Sequence, residues 1–82
     1  MSTLVTVIGK DRKGIIAGIS TELASAGINI LDITQTVMHD NFVMIMLVDM
    51  TGANDNLSNI RQKLDKKGEE LGVKVRFEED PA

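Results

Sequence analysis

Cysteine, tryptophan and tyrosine are missing from this 82-residue chain, proline occurs once and phenylalanine twice. Without cysteine there is neither a disulfide framework nor a thiolate metal site to hold the fold together. The formal charge is −3, and a chain with neither a basic surface nor rings to stack on bases lacks what binders of RNA and single-stranded DNA use. No nucleic-acid partner is expected. No apolar run approaches the roughly 20 residues of a membrane span. The opening residues lack the basic segment of a secretion signal, and the first apolar run stops at Gly9. The expected location is therefore the cytoplasm, with no membrane partner. The length suits a single domain over residues 1–82, which would bury only somewhat more than about 60% of its unfolded surface and be modestly stable alone.

What the chain does have is charge set between glycines. Gly9-Lys10-Asp11-Arg12-Lys13-Gly14 joins the apolar run Leu4 to Ile8 to a helical run, Ile15 to Ala26. This reads as a strand-to-helix turn in which glycine lets the backbone bend sharply and approach a ligand. At a helix head the first N–H groups have no intrahelical partner and the dipole end is positive, so a carboxylate or phosphate is favoured there. Asp11 also stands where its carboxylate could cap the helix by accepting the Gly14 N–H.

Residues 3 to 8 are short, β-branched and apolar on both parities, which suits an interior strand. Ile16, Ile19, Leu23 and Ala26 then recur at helical spacing, and Gly27 stops the helix as a left-handed cap. From Ile28 to Met38 the chain is rich in β-branched residues, but Ile28 and Ile30 lie on the opposite parity from Leu31, Ile33 and Val37. A bulge or strong twist is expected near Ile30. His39-Asp40-Asn41 signals the turn of a hairpin, and Phe42 to Met50 is its second strand. That strand is apolar on both faces until Asp49. One face must meet the helices. The other, whether it carries Phe42, Met44, Met46 and Val48 or Val43, Ile45 and Leu47, needs a cover, and self-association is the expectation.

Asn54 or Asp55 is the candidate N-cap of a second amphipathic helix marked by Leu57, Ile60, Leu64, Gly68 and Leu71 and ended by Gly72. Gly68 signals close packing or a weak last turn. Val73, Val75 and Phe77 alternate with Lys74, Arg76 and Glu78 as in an edge strand, and residues 79–82 form an acidic tail expected to fray. The order strand, helix, hairpin, helix, strand is βαββαβ, the ferredoxin-like α+β sandwich: a four-stranded antiparallel sheet with two helices on one face. Right-handed crossovers place the first and third strands centrally, and those are the two without polar alternation.

The combination of βαββαβ with Gly-Lys-Asp-Arg-Lys-Gly-Ile-Ile-Ala (9 to 17) and Ala-Gly-Ile-Asn-Ile (26 to 30) resembles the ACT domain, a small regulatory module that senses amino acids. The likeness covers nearly the whole chain and is closest to stand-alone bacterial members, similar to the repeats of glycine-cleavage regulators. Lys13 stands where the family usually has proline. The resemblance implies a ligand site between protomers, built from Gly9, Lys10, Asp11, Arg12, Gly14 and Ile15 on one side and from Asn29 and Ile30 at the start of a neighbour's second strand. The roles fit an α-amino acid: N–H groups near Gly14 and Ile15, with Arg12, face the carboxylate, and Asp11 accepts from the ammonium. Asn29 can bridge both groups, and Ile28 or Ile30 would line the side-chain pocket.

Each feature also has a plainer reading. The loop alone is an ordinary turn, and Asn29 alone a strand-entry residue. His39 is a solvated imidazole with no second ligand for a metal. Met38, Met44, Met46 and Met50 are first of all core filler, and adaptable interface second. Lys63, Lys66 and Lys67 pair with Asp65, Glu69 and Glu70 on a solvated helix face. No nucleophile, oriented histidine or carboxylate pair suggests catalysis. The expectation is a regulatory domain without cofactor or chemistry of its own. It would form a homodimer or higher homo-oligomer, bind an amino acid and modulate an enzyme or regulator. The alternative is a purely structural association module without a ligand.

Overall fold

In a computed structural model, described here for residues 2–79, the chain runs β1 (Ser2–Lys10), α1 (Ile15–Ser25), β2 (Asn29–Met38), β3 (Asn41–Asp49), α2 (Leu57–Leu71) and β4 (Val73–Glu79). The strands form one antiparallel sheet in the order β2-β3-β1-β4. The two strands without polar alternation are thus the central ones. This is the expected ferredoxin-like sandwich. Strand β1 extends to Lys10, two residues beyond the expected end, so the loop proper is only residues 11–14. Of the tail, Glu79 closes β4, and 80–82 lie outside the described residues.

The core lies between sheet and helices. Val5 and Val7 of β1, Phe42, Met44, Met46 and Val48 of β3, and Ile19, Leu23, Ile60 and Leu64 of the helices are all buried. Two of the four methionines weighed as filler, Met44 and Met46, are indeed fully buried core, whereas Met38 is 58% exposed. On α1 the buried position is Ile15 and not Ile16. Gly14, at φ 88°, turns the chain into the helix, whose packed face carries Ile15, Ile19 and Leu23 and leaves Ile16 on the outside. Ile28 is also core.

The helix stops fall on the expected glycines. At the end of α1 the Gly27 N–H donates to the Ala24 carbonyl and the Ile28 N–H to the Leu23 carbonyl, each at 3.0 Å, with Gly27 at φ 76°. That is a Schellman closure, and Leu23 and Ile28 supply its apolar contact. The start of α2 differs from expectation: the cap is Asn56, whose Oδ1 accepts the Asn59 N–H at 2.9 Å. Asn54 is committed elsewhere, its N–H donating to the Ala26 carbonyl and its side-chain amide to the Ser25 carbonyl, both at 2.9 Å. It thereby ties the loop before α2 to the end of α1. Asp55 accepts from the Asn56 N–H and the Asn59 side chain.

The β2-β3 ladder slips between Ile30 and Asp32, leaving Leu31 as the bulged residue. The slip restores one parity on each face, so Ile30, Ile33, Gln35 and Val37 lie opposite Val48, Met46, Met44 and Phe42 on the helix side. The hairpin turns on His39 and Asp40, both left-handed at φ 50° and 67°, as a two-residue hairpin turn of matching twist requires.

Candidate functional site

The turn after β1 is built by close approach. A Cβ on Gly9 would fall 2.6 Å from the Gly72 carbonyl oxygen and 2.8 Å from the Val73 Cα, so only glycine lets β1 run that near the α2-β4 junction. Beyond it, the Asp11 N–H donates to the Asp40 carbonyl at 2.9 Å, tying the loop to the hairpin turn. Gly14 then caps α1 with no side-chain hydrogen bond, and no acidic residue stands in the first turn. Asp11 therefore does not act as the helix cap. The first-turn N–H groups of α1 are left without a side-chain partner, the condition under which a helix head holds an anion.

The residues that carry these groups line a cleft of about 490 Å³. Asp11, Arg12 and Gly14 form its rim, Ile15, Ile16 and Ala17 the α1 wall, and Gln35, Thr36, Val37 and Phe42 the hairpin wall. The hairpin residues were not expected. They arrive because Gly9 pairs with Phe42 and Phe42 with Val37, which brings the turn end of the hairpin beside the loop of the same chain. The two-residue turn signal at His39-Asp40, combined with β1-β3 pairing, carries that information.

Of the expected site residues, Asp11, Arg12, Gly14 and Ile15 are gathered at the cleft. Gly9 and Lys10 belong to the end of β1, Gly9 in a packing role and Lys10 exposed. The Arg12 guanidinium reaches toward the end of α2: its Nη1 lies 3.7 Å from where a Cβ would stand on Gly72. A cation there faces the negative end of the α2 dipole. Asn29 and Ile30 lie at the other end of the sheet, opposite Asp49 and Val48. At 3.3 Å per residue along β2, Asn29 and Val37 are about 25 Å apart, so within one chain Asn29 does not reach the cleft. Ile30 is half-buried against the core, and Ile28 is wholly committed to it. Among the described residues no group of three or more His, Asp or Glu is placed to hold a metal, and no charged side chain is buried. His39 is exposed, as expected.

The described residues thus form a βαββαβ sandwich with an uncapped helix head beside a cleft. Residues 2–78 match the family model of the ACT domain, and the chain belongs to that family of regulatory domains. It is 46% identical over 80 residues to a UPF0237 protein of Clostridium acetobutylicum, a match covering 98% of this chain and 90% of that one. An ACT domain protein from Streptococcus pneumoniae superposes with a TM-score of 0.83 at 36% identity, covering 95% of this chain and 88% of the other. A formyltetrahydrofolate deformylase from Pseudomonas putida shares the fold at a TM-score of 0.85 but only 11% identity, the match covering 98% of this chain and 29% of the enzyme. None of the described helices is long and apolar enough to cross a membrane.

Proposed function

We propose that this chain is a regulatory module, without chemistry of its own, that holds an α-amino acid in the cleft between the Asp11–Ile15 turn and the hairpin. The observation that carries the reading is the bare head of α1: its first N–H groups have no capping side chain, and its first residues line a cleft that combines apolar walls with the charged rim of Asp11 and Arg12. A ligand carboxylate supplies the missing partner, and the ligand's side chain lies along Ile16 and Val37.

The cleft is one-sided, and its completion comes from a second copy. Strand β2 is an unguarded edge, long and carrying Leu31, Ile33, Val37 and Met38 exposed, which is the kind of edge that pairs with another strand. Antiparallel pairing of two β2 strands centred on Ile33 sets the partner's Asn29 beside Val37, at the cleft mouth. Gly9, Lys10, Asp11, Arg12, Gly14 and Ile15 of one copy then stand with the partner's Asn29 and the partner's Ile30. A ligand that binds this pairing better than the separated copies shifts the population toward it, and an enzyme or regulator attached to the module reads that shift. The competing reading, association without a ligand, draws on the position of Arg12, whose charge already rests beside the end of α2.

A thermal-shift screen of the twenty amino acids decides between them. A binder at 100 times its dissociation constant adds about 2.7 kcal/mol, and Arg12→Ala and Asn29→Ala each remove that gain while leaving the oligomer intact. No shift with any amino acid leaves the structural reading standing.

A further inference from the structure

The face of the sheet turned away from both helices is apolar along its middle, with Lys74, Arg76 and Glu78 at the β4 margin and Asp32 at the β2 margin. Register arranges it in rows across the strands. The middle row is Thr34, Ile45, Thr6 and Arg76. On one side of it Val43 and Ile8 lead to Lys74, and on the other Leu47 and Leu4 lead to Glu78. Ile8 is 52% and Ile45 40% exposed, and the β4 side chains wall a groove of about 530 Å³ floored by Thr6, Ile8, Val43 and Ile45. An apolar strip of this kind on so small a domain marks an interface.

We propose that a second copy of this chain packs on this face, sheet against sheet, about a two-fold axis that crosses the strands through the middle row. That axis exchanges the outer rows. Ile45 meets the partner's Ile45, and Val43 and Ile8 face the partner's Leu47 and the partner's Leu4. At the margin Lys74 meets the partner's Glu78, and by symmetry this happens twice. The one like-charge contact, Arg76 on the partner's Arg76, sits at an open rim where solvent screens it. The other two-fold available to facing sheets runs along the strands and lays β4 over β2. It would set Glu78 against the partner's Asp32 twice and leave Lys74 opposite threonine. Two opposite-charge pairs against two like-charge pairs select the first axis. The apolar rows carry the affinity, and the rim charges fix the register. This contact uses the face opposite the cleft, so it neither needs nor blocks a bound amino acid.

The test is sedimentation equilibrium at micromolar protein and low salt. Ile45→Glu, at an exposed position, should halve the assembled mass while circular dichroism keeps the folded spectrum. Lys74→Glu alone, or Glu78→Lys alone, should raise the dissociation constant of the face contact about tenfold, and the double variant Lys74→Glu with Glu78→Lys should restore it. Should Ile45→Glu fail to fold, the charge pair decides by itself. An unchanged mass for a folded Ile45→Glu overturns the proposal. A double variant as weak as either single one overturns it equally.

Discussion

Helix α2 starts on an asparagine cap, lies over β4 and ends on a left-handed glycine, and the strand it delivers buries Val73 and Val75. Helix α1 follows the same strand-helix-strand plan, yet it starts on a bare glycine and delivers a strand whose Ile33 and Val37 stay 43% and 53% exposed on the helix side. The second half of the chain satisfies its own ends. The first leaves a helix head open beside an edge strand that, unlike the edge strand β4, keeps its helix-side apolar residues exposed. In a pseudo-symmetric fold, a local requirement that one half meets and the other leaves unmet marks a place where something else can supply it.

Glycine substitutions should separate the two helices by the largest margin. A Cβ on Gly68 would lie 2.7 Å from the Val73 carbonyl oxygen, against backbone that cannot yield. Gly68→Ala should therefore cost about 2 kcal/mol, since overpacking of this kind outweighs the roughly 1 kcal/mol that alanine adds to a helix. The matching change in the other helix has the opposite balance. A Cβ on Gly18 meets the tip of Leu71, 2.8 Å away but on a flexible side chain, so Gly18→Ala should fall within about 0.5 kcal/mol of neutral. Urea denaturation of the two variants side by side measures both.

Much of this was legible beforehand, because the signals were local. Gly27 and Gly72 as helix stops and the slip near Ile30 follow from residues within a few positions of one another, and the strand expected at Phe42–Met50 and found at Asn41–Asp49 announces its central place by being apolar on both parities. What escaped was non-local. Asn54 looks like a helix cap until the end of α1, whose Ser25 carbonyl lies 29 residues away in sequence, claims its side chain. Ile15 and Ile16 fit the spacing of Ile19, Leu23 and Ala26 equally well, and only the seating of the helix on the sheet buries Ile15 and leaves Ile16 outside. The candidate site divides the same way. Its turn could be read from the charged loop between two glycines, whereas its hairpin wall depends on pairing between β1, β3 and β2 that no single stretch announces.

Exchanging the two helix heads sharpens the contrast. Asn56→Ala removes the one side-chain cap and should cost about 1 kcal/mol. Ala17→Glu places a carboxylate in the first turn of α1, at an exposed position on the cleft wall, and should stabilise by about 0.5 kcal/mol through the helix dipole. It should also abolish amino-acid-induced stabilisation, because the new carboxylate occupies and repels the ligand's anchor. Chemical denaturation with and without the amino acid separates the two effects. A ligand-induced shift that survives Ala17→Glu would move the anion away from this helix head.

The smallest effect is a matter of pH and belongs to the closed half alone. The Asp55 carboxyl is held below the ordinary carboxylate value, first by the hydrogen bond from the Asn59 side chain and then by that from the Asn56 N–H, with Lys63 nearby. A folded-state pKa below the unfolded one contributes stability that is present above the unfolded value and is lost as pH falls through the folded one. The start of α2 should therefore loosen in acid, below the ordinary carboxylate range, whereas the first turn of α1, which has no acidic side chain, carries no such term. Amide exchange measured from neutral pH down to about pH 2, corrected for the intrinsic rate, should show protection falling at Asn59 and Ile60 and not at Gly18. In Asp55→Asn, protection at Asn59 and Ile60 should stop tracking pH. If it falls equally in the variant, the carboxylate is not what closes this half.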